Sequence, residues 1–155
     1  MTGAILVVNM RGTANIPHPV KKTLHQLKVL RRYSATLVPD TASYRGMLQR
    51  TANHLSWSEI DQKFLTKLLE KRGRKVGDLP IQKSDLKSFG YKTMHTMTKE
   101  LTQGKIKLSD IKTLKPYFRL HPPRGGLKRS IRRAFTDGGI LGENPDLLKI
   151  VDRML

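Results

Sequence analysis

Residues 4–10 read Ala-Ile-Leu-Val-Val-Asn-Met, an almost continuous apolar run near the start of a chain of 155 residues. An apolar run of this length, rich in β-branched residues, is typical of a strand that is buried on both faces. Such a strand needs a covering layer on each side, which the rest of the chain has to supply. The run therefore predicts the central strand of the fold.

Two helices and two further strands are predicted after the central strand. Apolar residues recur at helical spacing after Pro19, which suits the first turn of a helix, and Asp40 or Thr41 can cap a second helix. Residues 35–38 and 54–57 are typical of short strands. This order predicts a ferredoxin-like β-α-β-α-β core with a small mixed sheet, the first strand in the middle and both helices on one face. The first two strands are expected to run parallel and the third antiparallel to the first.

The composition changes after Trp57, and the chain is predicted to divide into a core at residues 1–58 and an extension at residues 59–155. Ser58-Glu59-Ile60-Asp61 has the pattern of a capping box, which would start a third helix ending near Gly73. Helical spacing and a strand-like stretch then predict an α+β fold for the extension. Its further helices are expected at residues 84–89, 93–103 and 146–155, and its strand at residues 117–121.

The charge of the chain is large and clustered. The sequence has 30 Lys and Arg against 12 Asp and Glu, a net charge of +18 at pH 7. No carboxylate precedes Asp40, and none lies between Ile111 and Thr136. We call these stretches the two acid-free zones. Cations clustered in this way favour a polyanion as partner, and nucleic acid is the first candidate.

Several classes of function have little support in the sequence. There is no cysteine, and the five histidines are scattered, so neither a metal site nor a cofactor is expected. No acid–base pair or activated nucleophile is recognisable, so we do not expect an enzyme or a small-molecule substrate. No stretch approaches the roughly 20 apolar residues that a membrane span needs. The expectation is a soluble cytoplasmic protein with no membrane partner.

Aromatic residues are predicted to contribute little to nucleic-acid recognition. Tyr44 suits a nucleotide contact and a place in the core equally well, whereas Trp57, Tyr117 and Phe118 are predicted to pack. The central strand lacks the aromatic pair on which an RRM-type sheet stacks bases. Recognition is therefore expected to rely on shape and backbone contacts to structured RNA or DNA.

Two groups of residues carry a resemblance to a known family. Residues 37–47, Leu-Val-Pro-Asp-Thr-Ala-Ser-Tyr-Arg-Gly-Met, resemble the second strand and second helix of the large-subunit ribosomal protein family L-thirty. Residues 118–126, Phe-Arg-Leu-His-Pro-Pro-Arg-Gly-Gly, together with residues 69–74 and 137–142, resemble its long archaeal form, related to eukaryotic L-seven. The resemblance covers essentially the full length. It implies a three-stranded, two-helix core, a C-terminal α+β extension, and neither catalytic residues nor a required cofactor.

The resemblance also implies a structural role in the large ribosomal subunit, with large-subunit rRNA and neighbouring ribosomal proteins as partners. Two cationic surfaces are expected to bind and bridge folded rRNA, one on the core and one on a basic loop at residues 119–133. A free-standing RNA chaperone or RNA-binding regulator is the alternative. The predicted RNA-binding residues are Arg11, Lys21, Lys22, Tyr44, Arg45 and Arg50 in the core, and Arg119, His121, Arg124, Lys128, Arg129, Arg132 and Arg133 in the extension.

Overall fold

A six-stranded mixed sheet runs through the chain. The computed structural model describes residues 3–155. The strands are β1 (Ala4–Asn9), β2 (Ser34–Pro39), β3 (Leu55–Glu59), β4 (Phe118–Arg119), β5 (Ser130–Ala134) and β6 (Gly139–Glu143), in the spatial order β4-β2-β1-β3-β6-β5. The helices are α1 (His18–Gln26), α2 (Ala42–Arg50), α3 (Gln62–Arg72), α4 (Asp85–Ser88), α5 (Met94–Thr102) and α6 (Leu147–Asp152). The predicted α+β class, a ferredoxin-like core with an extension, is confirmed.

β1 is buried along its whole length, as its sequence predicts. Ile5 and Val7 pack in a cluster with residues of α1 and α2, whereas Leu6 and Val8 pack in a second cluster with residues of α3, α5 and α6. Burial of each such side chain contributes about 1.5–3 kcal/mol to folding. The two helices of the core therefore lie on one face of the sheet, as predicted, and the extension supplies the helices of the other face.

The direction of β2 differs from the prediction. β2 and β3 both run antiparallel to β1, and Val8 lies opposite Ala35 in one pair and opposite Ser56 in the other. The expected parallel pairing of the first two strands is therefore wrong. Asn9 Nδ2 donates to the carbonyl oxygen of Val29 at 2.7 Å, so the chain after α1 returns to the end of the sheet at which β1 stops. The β-α-β unit with strands of equal direction is instead β2-α2-β3, with β1 between its strands.

Most helix boundaries follow the local sequence, although α6 ends at Asp152 rather than at residue 155. Thr41, rather than Asp40, caps α2, and its Oγ1 accepts the N–H of Tyr44 at 3.4 Å. Thr93 caps α5 in the same way, accepting the N–H of Thr96. The predicted capping box at residues 58–61 is wrong because its first two residues belong to β3, and α3 begins after Asp61.

The extension joins the sheet of the core at two places. β4 pairs antiparallel with β2, and β6 pairs parallel with β3 and β5. No strand is predicted at β5 or β6, and the basic stretch at residues 119–133 is a loop only between β4 and β5, so Arg132 and Arg133 lie on a strand. The division at residue 58 stays a prediction. Within residues 3–155, no helix is both long and apolar enough to cross a membrane.

Candidate nucleic-acid interface

Basic side chains gather at the end of the sheet where β1 stops and where β2 and β3 begin. Arg11 follows β1, and its Nη1 donates to the carbonyl oxygen of Asn53 at 3.1 Å. Arg32 precedes β2, and its Nε donates to the backbone carbonyl of Met10 at 3.2 Å. Arg119 of β4 lies opposite the first residue of β2. We name this region the cationic end and define it by its exposed basic residues, which are Arg11, Arg31, Arg32, Arg50, Arg119, His121, Arg129 and Arg132.

The two acid-free zones of the sequence meet at the cationic end. The N–H of Leu120 donates to the carbonyl oxygen of Tyr33 at 3.0 Å. A cavity of about 470 Å³ next to this contact has Arg32 from the first zone and Arg129 and Arg132 from the second among its lining residues. Cations that are about a hundred residues apart in the sequence thus line one space. Their mutual repulsion is relieved when a polyanion occupies it.

The turn at residues 122–126 is held by the last residues of the chain. The N–H of Arg124 donates to the carbonyl oxygen of Arg153 at 3.0 Å, and Arg153 Nη1 donates back to the carbonyl oxygens of Arg124 and Gly126 at 3.2 and 3.1 Å. Gly125 and Gly126 have φ values of +75° and +72°, which glycine adopts without strain. The backbone of the turn is therefore fixed, while the Arg124 side chain is exposed.

The predicted residues of the extension are all exposed, but they do not all face one way. Arg132 and Arg133 are neighbours on β5, an edge strand, and successive side chains of a strand point to opposite faces. The guanidinium of Arg129 lies 4.9 Å from the centre of the Phe135 ring, which supports its side chain by a cation–π contact. Arg119 is placed by β4, and His121 follows it. Lys128 lies in the turn region before β5.

The predicted residues of the core are more scattered. Arg50 ends α2 at the cationic end, near Arg11, whereas Lys21 and Lys22 lie on the exposed side of α1. Tyr44 is half-buried against the cluster beneath α1 and α2, and Lys107 Nζ lies 5.5 Å from the centre of its ring. The nucleotide contact of Tyr44 stays a prediction.

Arg45 lies at the opposite end of the sheet, among carboxylates. It forms a two-bond ion pair with Asp40, with Nε–Oδ1 and Nη2–Oδ2 distances of 2.5 and 2.7 Å. The hydrogen bond from Arg45 lowers the pKa of Asp40, and the same bond, with weaker help from Glu143 and Glu59, raises the pKa of Arg45. The charge of Arg45 is thus already compensated within the protein.

The two ends of the sheet therefore differ in charge. The six residues of β1 span about 20 Å, whereas the Debye length is about 8 Å at physiological ionic strength. The carboxylates around Arg45 consequently do little to weaken the field at the cationic end. A polyanion approaching the protein would be attracted to that end.

Some basic residues of the interface were not predicted from the sequence. Arg31 and Arg32 are exposed at the cationic end, and their position directly before β2 within the first acid-free zone was the available signal. Arg72 has a lowered pKa because it is partly buried and because Arg74 and Arg124 lie near it. No sequence signal indicates that these three arginines come together, since Arg124 is distant in the chain.

Three further carboxylates are partners in ion pairs. A hydrogen bond from a neighbouring cation is the main cause that lowers the pKa of Asp78, Asp85 and Asp146, the donors being Lys115, Lys75 and Lys149. A general acid would need a raised pKa instead. Within residues 3–155 no three His, Asp or Glu side chains converge as metal ligands. The site is therefore best described by its cations.

The fold and the charge distribution define a small basic α+β protein with one end suited to a polyanion. A family model described as ribosomal protein L30p/L7e matches residues 5–55. The large ribosomal subunit protein uL30 of Nitrosopumilus maritimus is 38% identical over 155 residues, which is 100% of both chains. That of Cenarchaeum symbiosum is 36% identical over 155 residues, again 100% of both chains. That of Archaeoglobus fulgidus is 42% identical over 149 residues, which is 96% of this chain and 97% of the relative.

The chain therefore belongs to the uL30 family of large ribosomal subunit proteins. The resemblance to the L-thirty family, in its long archaeal form, is confirmed because these relatives are archaeal and match nearly the whole chain. The stretch matched by the family model lies within the predicted core.

Proposed function

We propose that this chain is a structural, non-enzymatic constituent of the large ribosomal subunit in the cytoplasm, where it binds and bridges folded large-subunit rRNA. Its membership of the uL30 family supports the ribosomal role. The observation that carries the RNA-binding role is the cationic end, where the two acid-free zones meet. No carboxylate is among the residues that line the cavity they share. Carboxylates lie at the far end, around Arg45, and Asp78 lies 4.0 Å from Arg119 Nη1, outside the lining of that cavity.

RNA binding at this end would proceed by neutralising closely spaced phosphates. Each Lys or Arg that contacts a phosphate displaces condensed counterions, so affinity falls steeply as salt rises. Arginine suits this role because its planar guanidinium can bind two phosphate oxygens at once. The turn at residues 122–126 is already tied to Arg153, so less conformational entropy is lost when RNA binds.

Bridging is supported by the way in which two chain segments contribute cations. Arg32 lies on the core side of the cavity, and Arg129 and Arg132 lie on the extension side. Arg11 and Arg31 are exposed at the same end of the sheet. In this proposal each side of the cavity holds one RNA segment. Arg124, in the turn at residues 122–126, and Lys128, which follows that turn, extend the second contact. Lys21 and Lys22 widen the first contact along α1, whereas Arg45 contributes little.

Contact with neighbouring ribosomal proteins is part of the same proposal. Val76 and Leu79 are the large hydrophobic residues exposed in the described chain, with 68% and 58% of their surface accessible. Both lie in the turn between the bridged residues Arg74 and Pro80, and Asp78 in that turn is paired with Lys115. An apolar pair presented by an anchored turn suits a protein neighbour better than a phosphate backbone.

The RNA-binding role is tested by replacing Arg124, Arg129 and Arg132 together with alanine. We expect weaker binding to a large-subunit rRNA fragment. We also expect the salt slope, which is the slope of the logarithm of the binding constant against the logarithm of the salt concentration, to be shallower by up to about 3, or about 1 for each phosphate that the variant no longer neutralises. A matched variant removes the same number of charges at Lys87, Lys92 and Lys99, which are exposed in the region of α4 and α5. Equal affinity and slope in the arginine variant and the wild type would contradict the proposal.

A free-standing RNA chaperone or regulator would bind RNA in the same assay, so a second measurement separates the alternatives. A structural constituent should sediment with large subunits after washing in high salt. Recovery of the endogenous protein from the unbound pool would favour the free-standing alternative.

A further inference from the structure

A smaller cavity lies at the cationic end, between the last turn of α1 and the edge strand β4. It has a volume of about 230 Å³, and Lys28, Arg31 and Arg119 line it together with the Tyr117 ring and Leu30. No carboxylate belongs to its lining; the nearest acid to Arg119 is Asp78, 4.0 Å from Nη1. The space is smaller than the roughly 300–1,000 Å³ of pockets for drug-sized ligands, and it combines cations with an aromatic and an aliphatic wall.

Lys28 stands where a glycine would be expected. α1 ends in a Schellman motif, in which the N–H of Lys28 donates to the carbonyl oxygen of His25 and the N–H of Val29 donates to that of Leu24, at 3.0 and 3.1 Å. The residue after the helix cap in this motif is left-handed and is usually glycine. Lys28 has a φ of +62° there, which destabilises the fold relative to glycine. A strained residue of this kind beside a cavity is a reason to test whether its side chain has a function.

Tyr117 is held at the edge of the sheet by its neighbours. Phe118 is fully buried and lies opposite Ala35, while Arg119 lies opposite Ser34. The guanidinium of Arg119 is 5.8 Å from the centre of the Tyr117 ring. Tyr117 is half-buried and is among the residues that line the cavity. Proteins use such aromatic surfaces to stack single-stranded bases, with nearby cations on the phosphates.

We propose that this cavity binds one unstacked nucleotide of RNA, with its base against Tyr117 and Leu30 and its phosphate on Lys28 and Arg31. The inference rests on the proposed RNA-binding function and deepens it, because it names the form in which the RNA is recognised there. The sequence predicts that Tyr117 packs, and this proposal adds a contact with a base. Elsewhere at the cationic end the proposed contacts are with phosphates and depend on the shape of the RNA. In this cavity the proposed contact is with the face of a base.

The base contact is tested with adenosine 5′-monophosphate and with ribose 5-phosphate, which has the same phosphate and no base. In an NMR titration we expect the nucleotide to bind several-fold more tightly and to shift the signals of Tyr117 and of His25, which also lines the cavity. Tyr117→Leu keeps an apolar side chain, and it should reduce the affinity for the nucleotide to that for ribose 5-phosphate. Equal affinities of the wild type for the two ligands would overturn the proposal.

The role of Lys28 is tested by Lys28→Gly, which separates stability from binding. We expect a higher thermal midpoint, because glycine relieves the left-handed backbone, together with a several-fold weaker affinity for the nucleotide. The matched control is Asn15→Gly, since Asn15 also has a positive φ, of 53°, and does not line the cavity; it should leave nucleotide affinity unchanged. A Lys28→Gly variant that is more stable and binds the nucleotide normally would show that Lys28 only ends the helix.

The outcomes also separate this inference from the proposed function. Wild-type protein that binds the rRNA fragment with a steep salt slope, yet does not distinguish the two small ligands, would refute the nucleotide site alone. Absence of binding to the rRNA fragment would instead refute the RNA-binding function on which it rests.

Discussion

Arg32 and Arg45 are both exposed arginines beside strand β2, but their surroundings differ. Arg32 lies directly before the strand, where its Nε bonds a backbone carbonyl and its neighbours are cationic. Arg45 lies beyond the other end of the strand and is held by Asp40. An arginine that already has a carboxylate partner must lose part of that pairing before it can bind a phosphate. Exposure alone therefore does not identify an RNA-binding cation.

Single substitutions should reveal this difference. Arg32→Ala should weaken binding to the rRNA fragment and reduce the salt slope by about 1, because one fewer phosphate is neutralised. Arg45→Ala should change the affinity less than twofold, since its partner is Asp40. Both are measured as binding isotherms across a salt series. A loss of affinity from Arg45→Ala as large as that from Arg32→Ala would show that the ion pair opens when RNA binds.

At the scale of elements, β5 and β6 depend on a close approach of two backbones. A Cβ atom added to Gly139 would lie 1.9 Å from the carbonyl oxygen of Arg133. β5 has exposed residues at four of its five positions, so it shows no alternation that predicts a strand. The pair forms because β6 also joins β3, and Gly139 permits β5 to lie against it.

Two glycine substitutions with opposite expected effects test this packing. Gly139→Ala should lower the free energy of unfolding by about 1–3 kcal/mol, because the backbones must separate to admit a methyl group. Gly46→Ala lies within α2 with nothing within 4 Å of the added Cβ, and it should raise the free energy of unfolding by about 0.5–1 kcal/mol. Urea unfolding measures both. A neutral Gly139→Ala variant would contradict the close packing of β5 on β6.

At the scale of the whole molecule, the charges at the cationic end are free of carboxylates in the shared cavity, whereas Arg45 at the opposite end is paired with Asp40. The chain has no cysteine, so a single introduced thiol can report which end faces RNA. A crosslinker attached at Ser130→Cys, on β5, should react with rRNA in the assembled large subunit. The same reagent at Ala42→Cys, at the start of α2 and near Asp40, should react much less. Equal crosslinking from both positions would refute a preferred orientation.

Local sequence patterns account for the elements whose formation depends on near neighbours. The sequence predicts a buried strand at residues 4–10, a third helix ending near Gly73, and Asp40 or Thr41 as the cap of the second helix; the structure has β1, α3 and a cap at Thr41. The direction of β2 and the existence of β5 and β6 were not predicted correctly, because each depends on a partner strand that is distant in the chain. Propensity does not determine which strands pair or in which direction.

The amino-acid sequence by itself determined that this protein is a basic, cysteine-free α+β chain of the uL30 family, with two acid-free zones that hold 14 of its 30 Lys and Arg residues. These are properties of residues and of short spacings, so they do not depend on how the chain is folded. Only the tertiary structure decided that Arg32 meets Arg129 and Arg132, that Arg45 is paired with Asp40, and that Lys28 and Tyr117 share a cavity. These relations are distances across a sheet, and they are set by strand order and direction rather than by sequence spacing.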